Sequence, residues 1–406
     1  MPIFDKRDIF HPTYRSKAMI VGADSYAYEE ALAVLKEGGN AVDAAVTMAF
    51  CLAVTNPQAG NLGGGGFMMI YLKDLDQVIS IDYREKAPKL ATQTMFLDEV
   101  GNVDSKKSLE TYFAAGVPGT VKGLGTALEK FGTISLKRAV FPAIRLAESG
   151  IIVNERLHRV LLENQSLMMR SAAKNIFFKS DSEPLSVGDL LVQSDLAWTL
   201  KQISKQGSDA FYTGEIAQII ASEMTANGGL ISLEDLRDYT AILRSPLRGY
   251  YKGYDIYTMS PPSSGGVHLI QMLNLLSHFP IKTWGYHSSR TIHVMIEVMK
   301  RAFADRGKHL GDMDFKPVPV DALISKRYAK QLLKTISLNK ATSSKKILPG
   351  NPYIKESRNT NHFTIVDQLG NVVSNTYSLN QNFGSKLYNS ESLFSVILNS
   401  FITLYH

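Results

Sequence analysis

Between Tyr26 and Lys36 the apolar residues Ala27, Ala31, Val34 and Leu35 recur at helical spacing, and Gly38-Gly39 supplies a left-handed stop. Asn40 is a capping residue for a second helix, Ala41 to Val54, whose apolar residues run nearly all round; such a helix is buried. Phe67 to Leu72 and Val78 to Ile81 read as strands separated by the polar turn Lys73 to Gln77. A helical middle follows, with helices at Gly119 to Lys130, Leu136 to Ser149, Ser194 to Gln206 and Ala217 to Asn227. Ser232 with Asp235 three residues on resembles a capping box. Tyr254 to Met259 reads as a strand, then SPPSSGG turns the chain into two long helices, Val267 to His278 and Arg290 to Arg306. Lys334 to Pro352 has little periodicity and reads as an exposed connection. His362 to Asp367 and Val372 to Leu379 then flank Gln368-Leu369-Gly370-Asn371 as a hairpin. The pattern predicts an α/β architecture with helices between strand pairs.

Composition adds mostly exclusions. The chain has 406 residues, 45% hydrophobic and 20% charged, which is ordinary globular usage with room for two or three domains or one large α/β unit. A single cysteine, Cys51, excludes an internal disulfide and any cysteine-based cluster, and is expected to pack as a small buried hydrophobe. The net charge of +6 has no long run of either sign and gives little support for nucleic-acid binding. No stretch reaches the roughly 18 apolar residues of a membrane span. The opening MPIFDKRDIF has no apolar signal region, so a genuine start implies a cytoplasmic protein.

Local chemistry leaves several readings open. Gly63-Gly64-Gly65-Gly66 fits a tight helix-to-strand turn or a loop whose amides approach a ligand; without a following Lys-Ser or Lys-Thr it is not a P-loop. Arg84, in IDYREKAP, is a solvated loop arginine beside Glu85 or a fork for a carboxylate. Thr360, before the first hairpin strand, reads locally as a turn residue. The chain has no GxSxG elbow, no HExxH motif and no metal-ligand spacing among its nine histidines, so neither cofactor nor metal is expected.

Taken together, EGGNAVDAAV, NPQAGNLGGGGFMMIYL, IDYREKAP, GVPGTVKGL, SPPSSGG and NTNHFTIVDQLGNVVSNTYSLNQNFGS resemble the γ-glutamyltranspeptidases (glutathione hydrolases) of the N-terminal nucleophile superfamily. They stand in the family's order from about His11 to Ser385. The resemblance implies the superfamily's α+β fold, a four-layer αββα sandwich that is expected to be incomplete here for want of the C-terminal part, and a precursor that cuts itself between Asn359 and Thr360. It divides the chain into a large-subunit-like region, 1–359, and a small-subunit-like region from 360 to 406, together one domain. Thr360 becomes the nucleophile, Arg84 holds the glutamyl α-carboxylate, Ser378 stands where a threonine usually orients the nucleophile, and Asn380 contacts the substrate's α-amino side. Asn361 occupies a position where a second threonine is usual.

The implied donors are glutathione and other γ-glutamyl compounds, and the acceptors are water, amino acids or dipeptides. The cleaved pieces are expected to stay associated, and relatives are commonly periplasmic or extracellular. Only 47 residues run from Thr360 to the end, where the family usually continues for well over a hundred. The match fades after Ser385, and an acidic segment, a Ser-Ser pair and a Gly-Gly oxyanion turn are not found. This departure raises an inactive, truncated homologue as one alternative. A superfamily acylase is a second, which Arg84 and Asn380 argue against.

Overall fold

The computed structural model describes residues 16–169, 171–180, 182–285, 287–347 and 360–386. Asn359 and the segment after Lys386 therefore lie outside the described residues.

The strands are β1 (Met19–Val21), β2 (Gly65–Leu72), β3 (Gln77–Asp82), β4 (Ile151–Ile152), β5 (Leu190–Leu191), β6 (Ile242–Arg244), β7 (Leu247–Tyr251), β8 (Tyr254–Thr258), β9 (Asn361–Val366) and β10 (Val372–Ser378). Six of them form the main sheet in the order β1-β9-β10-β2-β3-β6, and every neighbour is antiparallel. The late hairpin β9-β10 thus inserts between β1 and β2. A parallel doubly wound sheet is absent among the described residues; the fold is α+β, with helices inserted between antiparallel pairs.

Strand alternation decides which face is buried. Phe363, Ile365, Val373, Asn375 and Tyr377 are inaccessible on β9 and β10, whereas His362 on the opposite face is exposed. The buried face packs on α2 (Ala41–Thr55), all fifteen residues of which are buried, Cys51 included. Burial pushes the Cys51 thiol well above its ordinary range, so it stays protonated. Tyr377 donates from its hydroxyl to the Ala49 carbonyl at 3.0 Å, a polar tie across an otherwise apolar contact.

The N-terminus of α2 is fixed three ways. Asn40 Oδ1 accepts from the Val42 and Asp43 amides, each at 2.9 Å, and Asp43 returns the bond by accepting from the Asn40 amide at 2.8 Å. Asp367, in the β9-β10 turn, accepts from the Ala41 amide at 2.9 Å. It also accepts from the amides of Leu369 and Asn371 in that turn. A carboxylate at a helix N-terminus is favoured electrostatically, and here it couples helix, turn and strand register. The first helix, α1 (Ser25–Lys36), packs beside α2 and ends at Gly38, whose φ of +95° suits glycine.

A second cluster lies apart from this core. Leu275, Val294, Val298 and Ala329 join the helices Ser264–Leu276, Ser289–His309 and Lys326–Leu333. Within it Glu297 and Arg301 form a buried pair at 2.8 Å, and Arg301 also donates to Thr335 Oγ1 at 2.6 Å. Thr342 donates its amide to Glu297 at 3.0 Å. The connection after Leu333 is therefore pinned to the long helix at Thr335, Ser337 and Thr342, the Ser337 carbonyl lying 2.7 Å from His293 Nε2.

Candidate active site at the β9-β10-β2 sheet edge

The site residues of the sequence analysis come together through strand register. Asn361 pairs with Tyr377, so continuing the antiparallel ladder by one step sets Thr360 beside Ser378. Ser378 pairs on its other side with Gly65. Gly65 in turn abuts the next segment so closely that a Cβ on it would lie 2.5 Å from the Tyr83 carbonyl and 3.0 Å from the Arg84 carbonyl carbon. Thr360, Ser378, Gly65 and Arg84 therefore stand in one row across the sheet. Three strand spacings separate its ends, about 14 Å.

The glycine run makes this row possible. A side chain on Gly64 would strike the Ser378 carbonyl oxygen, and one on Gly66 would strike that of Thr376. Gly64 donates its amide to Asn61 Oδ1 at 2.9 Å, and its carbonyl accepts from the Gly119 and Thr120 amides. Gly66 donates to the Tyr83 carbonyl at 3.3 Å. The run leads into β2, whose first two residues are Gly65 and Gly66, and close backbone approach is the physical reason for its glycines.

Arg84 is held by its backbone, leaving its guanidinium at the surface. Its amide donates to Asp82 Oδ1 at 3.0 Å, and its carbonyl accepts from the Tyr239 hydroxyl at 2.7 Å. The side chain is 41% exposed, with Nε 3.5 Å from the buried Glu85 carboxylate. Behind it, Asp82 pairs with Arg244 at 2.6 Å, and Arg244 reaches both oxygens of Asp314 at 3.0 and 2.7 Å. Burial pushes the Asp82 carboxyl up from its usual range, against the hydrogen bonds from the Arg84 amide and Arg244 that pull it down.

Ser378 and Asn380 are linked directly: the Asn380 amide donates to Ser378 Oγ at 2.9 Å. Asn380 adopts a φ of +69° and is 7% exposed, so the chain turns sharply there and keeps this residue buried just past the end of β10. Thr360 is exposed at the head of β9.

Two buried amides, Asn56 and Gln58, escaped the sequence analysis, and they bond to a third, Asn361, next to Thr360. Asn56 donates to Asn361 Oδ1 at 2.5 Å, and Gln58 donates to Asn56 Oδ1. The polar stretch Asn56-Pro57-Gln58 directly after an all-buried helix was the available signal, because such groups must find partners inside. Asn361 is 3% exposed and serves as the anchor at the start of β9. Among the described residues no group of three acidic, histidine or cysteine side chains is placed to hold a metal ion, and no helix is long and apolar enough to cross a membrane.

A family model described as Gamma-glutamyltranspeptidase matches residues 27–400. The Glutathione hydrolase proenzyme of Escherichia coli (strain K12) is 48% identical over 397 residues, which cover 97% of this chain and 68% of that protein. The Glutathione hydrolase proenzyme of Pseudomonas sp. (strain A14) is 42% identical over 377 residues, 93% of this chain and 65% of that protein. The crystal structure of Helicobacter pylori gamma-glutamyltranspeptidase superposes with a TM-score of 0.81 at 45% identity, over 86% of this chain and all of that one. The chain belongs to the γ-glutamyltranspeptidase family of N-terminal nucleophile hydrolases, an enzyme family whose α+β fold it shares. It spans about two thirds of the length of the curated relatives it matches.

Proposed function

We propose that the chain is a self-cleaving γ-glutamyltransferase and glutathione hydrolase precursor with Thr360 as its nucleophile. The observation that carries this reading is the row Thr360, Ser378, Gly65 and Arg84 across neighbouring segments of the sheet. In the first step the Thr360 hydroxyl attacks the Asn359 carbonyl carbon. The peptide C–N bond breaks as an ester forms, and the nitrogen takes up the hydroxyl proton. Water then opens the ester, leaving a carboxylate on Asn359 and a free amine on Thr360. On this reading residues 1–359 and 360–406 become two associated pieces of one domain.

The freed α-amine has an ordinary pKa of about 7.7–8.0 and can take the proton from its own hydroxyl, so one residue supplies both nucleophile and base. Thr360 Oγ then attacks the γ-carbonyl of a glutamyl donor, the proton passes to the departing amine, and a glutamyl ester remains on Thr360. Water releases glutamate; an amino acid or dipeptide amine gives a new γ-glutamyl compound. Arg84 holds the α-carboxylate at the far end of the row, where an extended glutamyl chain and an arginine side chain together bridge a gap of this order. Ser378 orients Thr360, and Asn380, which steadies Ser378, faces the α-amino side. The Arg84 and Asn380 pair suits an amino-acid head group, which favours this reading over the acylase alternative. For a family whose members typically work in the periplasm or outside the cell, glutathione there is the natural donor.

The test is turnover of a γ-glutamyl anilide by the incubated protein, with its mass recorded in parallel. Release of the aniline together with a cut at Thr360 supports the proposal. Release without any cut assigns the chemistry to another residue.

A further inference from the structure

Thr360 stands at the very start of β9, and the strand's hydrogen-bonded ladder begins one residue later, with Asn361 opposite Tyr377. A strand start of this kind frays unless side chains hold it. Here the hold is a chain of three carboxamides. Gln58 donates from Nε2 to Asn56 Oδ1, and Asn56 donates from Nδ2 to Asn361 Oδ1 at 2.5 Å. None of the three residues is more than 5% exposed.

The base of this chain is fixed by backbone. Asn56 ends α2, its amide donating to the Leu52 carbonyl at 3.0 Å, and its own carbonyl accepts from the Ala59 and Gly60 amides at 3.0 and 2.8 Å. Gly60 lies so close to the helix that a Cβ on it would sit 2.0 Å from the Leu52 carbonyl oxygen. The Gln58 carbonyl accepts from the Phe383 amide at 3.1 Å, which ties the same turn to the chain just past Asn380. The turn over 56–60 therefore grips the start of β9 through side chains and the exit of β10 through its backbone. Buried amides cost stability unless every polar atom is paired, and Gln58 Oε1 is buried with no partner among the described residues. Apolar side chains of similar shape would avoid that cost, so the amides are kept for a role other than stability.

Strand alternation shows what that role is. Asn361 and Tyr377 point to the buried face, whereas the next pair, His362 and Thr376, meets on the opposite face, with His362 Nδ1 2.7 Å from Thr376 Oγ1. Thr360 and Ser378, one step back along the ladder, belong to that opposite face. Holding the Asn361 side chain inward fixes the rotation of the strand start, and with it the side on which the Thr360 hydroxyl stands. A slip by one residue would carry that hydroxyl away from Ser378. We propose that Asn361 is a positioning residue for Thr360, acting through Asn56 and Gln58. The inference deepens the reading of Thr360 as the nucleophile and rests on it.

The test follows self-cleavage of the full chain by intact mass, with denaturant unfolding in parallel. Asn361→Leu keeps the size and removes the acceptor, and Asn56→Ser removes the donor without adding bulk. Each should slow cleavage about 10-fold or more, and the two together no more than either alone, because they break one bond. Asn361→Asp keeps an oxygen for Asn56 and should stay within about 3-fold of the wild-type rate. Val298→Ala, in the separate cluster of the long helix, lowers stability away from the site and should leave the cleavage rate unchanged. Hydrogen exchange of the β9 amides is read in Thr360→Ala, so that it does not depend on cleavage. It should speed up about 10-fold with Asn361→Leu and not with Val298→Ala. That faster exchange, in a protein whose wild-type chain is never cut, would refute Thr360 as the nucleophile while upholding the hold on β9. Unchanged exchange in Asn361→Leu, cleavage there as fast as in Val298→Ala, or additive losses in the double variant would overturn the proposal.

Discussion

Thr360 looks unremarkable on its own: an exposed hydroxyl residue opening a strand. The chemistry proposed for it depends on neighbours that register brings to it. Ser378 is one, and its oxygen is steadied by the Asn380 amide at 2.9 Å. Ser378→Ala removes that oxygen and is expected to slow self-cleavage about 10-fold, whereas Ser378→Thr should restore it; time courses of intact mass distinguish the two. Arg84→Lys keeps the charge and loses the two-pronged fork. Its expected effect is a KM for γ-glutamyl donors raised about 10-fold or more with self-cleavage unchanged. If cleavage fell instead, Arg84 would be acting on the precursor rather than on the donor. The roles proposed for these residues rest on whole motifs, since neither Arg84 nor Thr360 stands out by local pattern. The buried pairing of Asn56 with Asn361 was not legible, because the two lie 305 residues apart in sequence.

Elements with strong periodicity appear where the sequence analysis places them. The helix over Ala41 to Val54, the hairpin near 362–379 and the helix at Leu136–Ser149 match within two residues. The strands β1 and β6, three residues each, were not legible, since strands so short are fixed by their neighbours rather than by propensity. At this scale Gly65 makes a sharp test. In Gly65→Ala the new methyl meets the Tyr83 carbonyl and the Glu85 amide, both backbone, at 2.5 and 2.7 Å. Strand β2 or the Arg84 segment must move, at roughly 1–3 kcal/mol in the denaturant midpoint. A neutral result would show that the row across the sheet tolerates displacement. The long helix supplies a pH test. Burial alone would raise the Glu297 carboxyl, but bonds from Thr342, Arg301 and Lys300 outweigh it and hold it at about 2. Because the folded value lies below the unfolded one, this group stabilises the fold above the ordinary carboxylate range. That contribution, on the order of 3 kcal/mol, is lost as pH falls from about 4.5 toward 2. Glu297→Gln should flatten the stability profile across that interval; an unchanged slope would contradict the assignment.

At the scale of the molecule, a buried helix, a glycine run and a late hairpin meet so that residues far apart in sequence share one row at the ends of the central strands. Asp367 ties the hairpin turn to the start of α2, and Tyr377 ties the same hairpin to the middle of it. Family membership and the α+β class were readable from the ordered motifs; the all-antiparallel order β1-β9-β10-β2-β3-β6 was not, because pairing between distant segments leaves no local trace. The central claim is that this assembly orients Thr360 well enough to cut the bond before it. The most direct measurement is the intact mass of the purified chain after incubation near neutral pH, beside Thr360→Ala. Pieces of 359 and 47 residues from the wild-type chain, and none from Thr360→Ala, are the expected result. A folded chain that stays whole, or a Thr360→Ala variant that is still cut at the same bond, would contradict it.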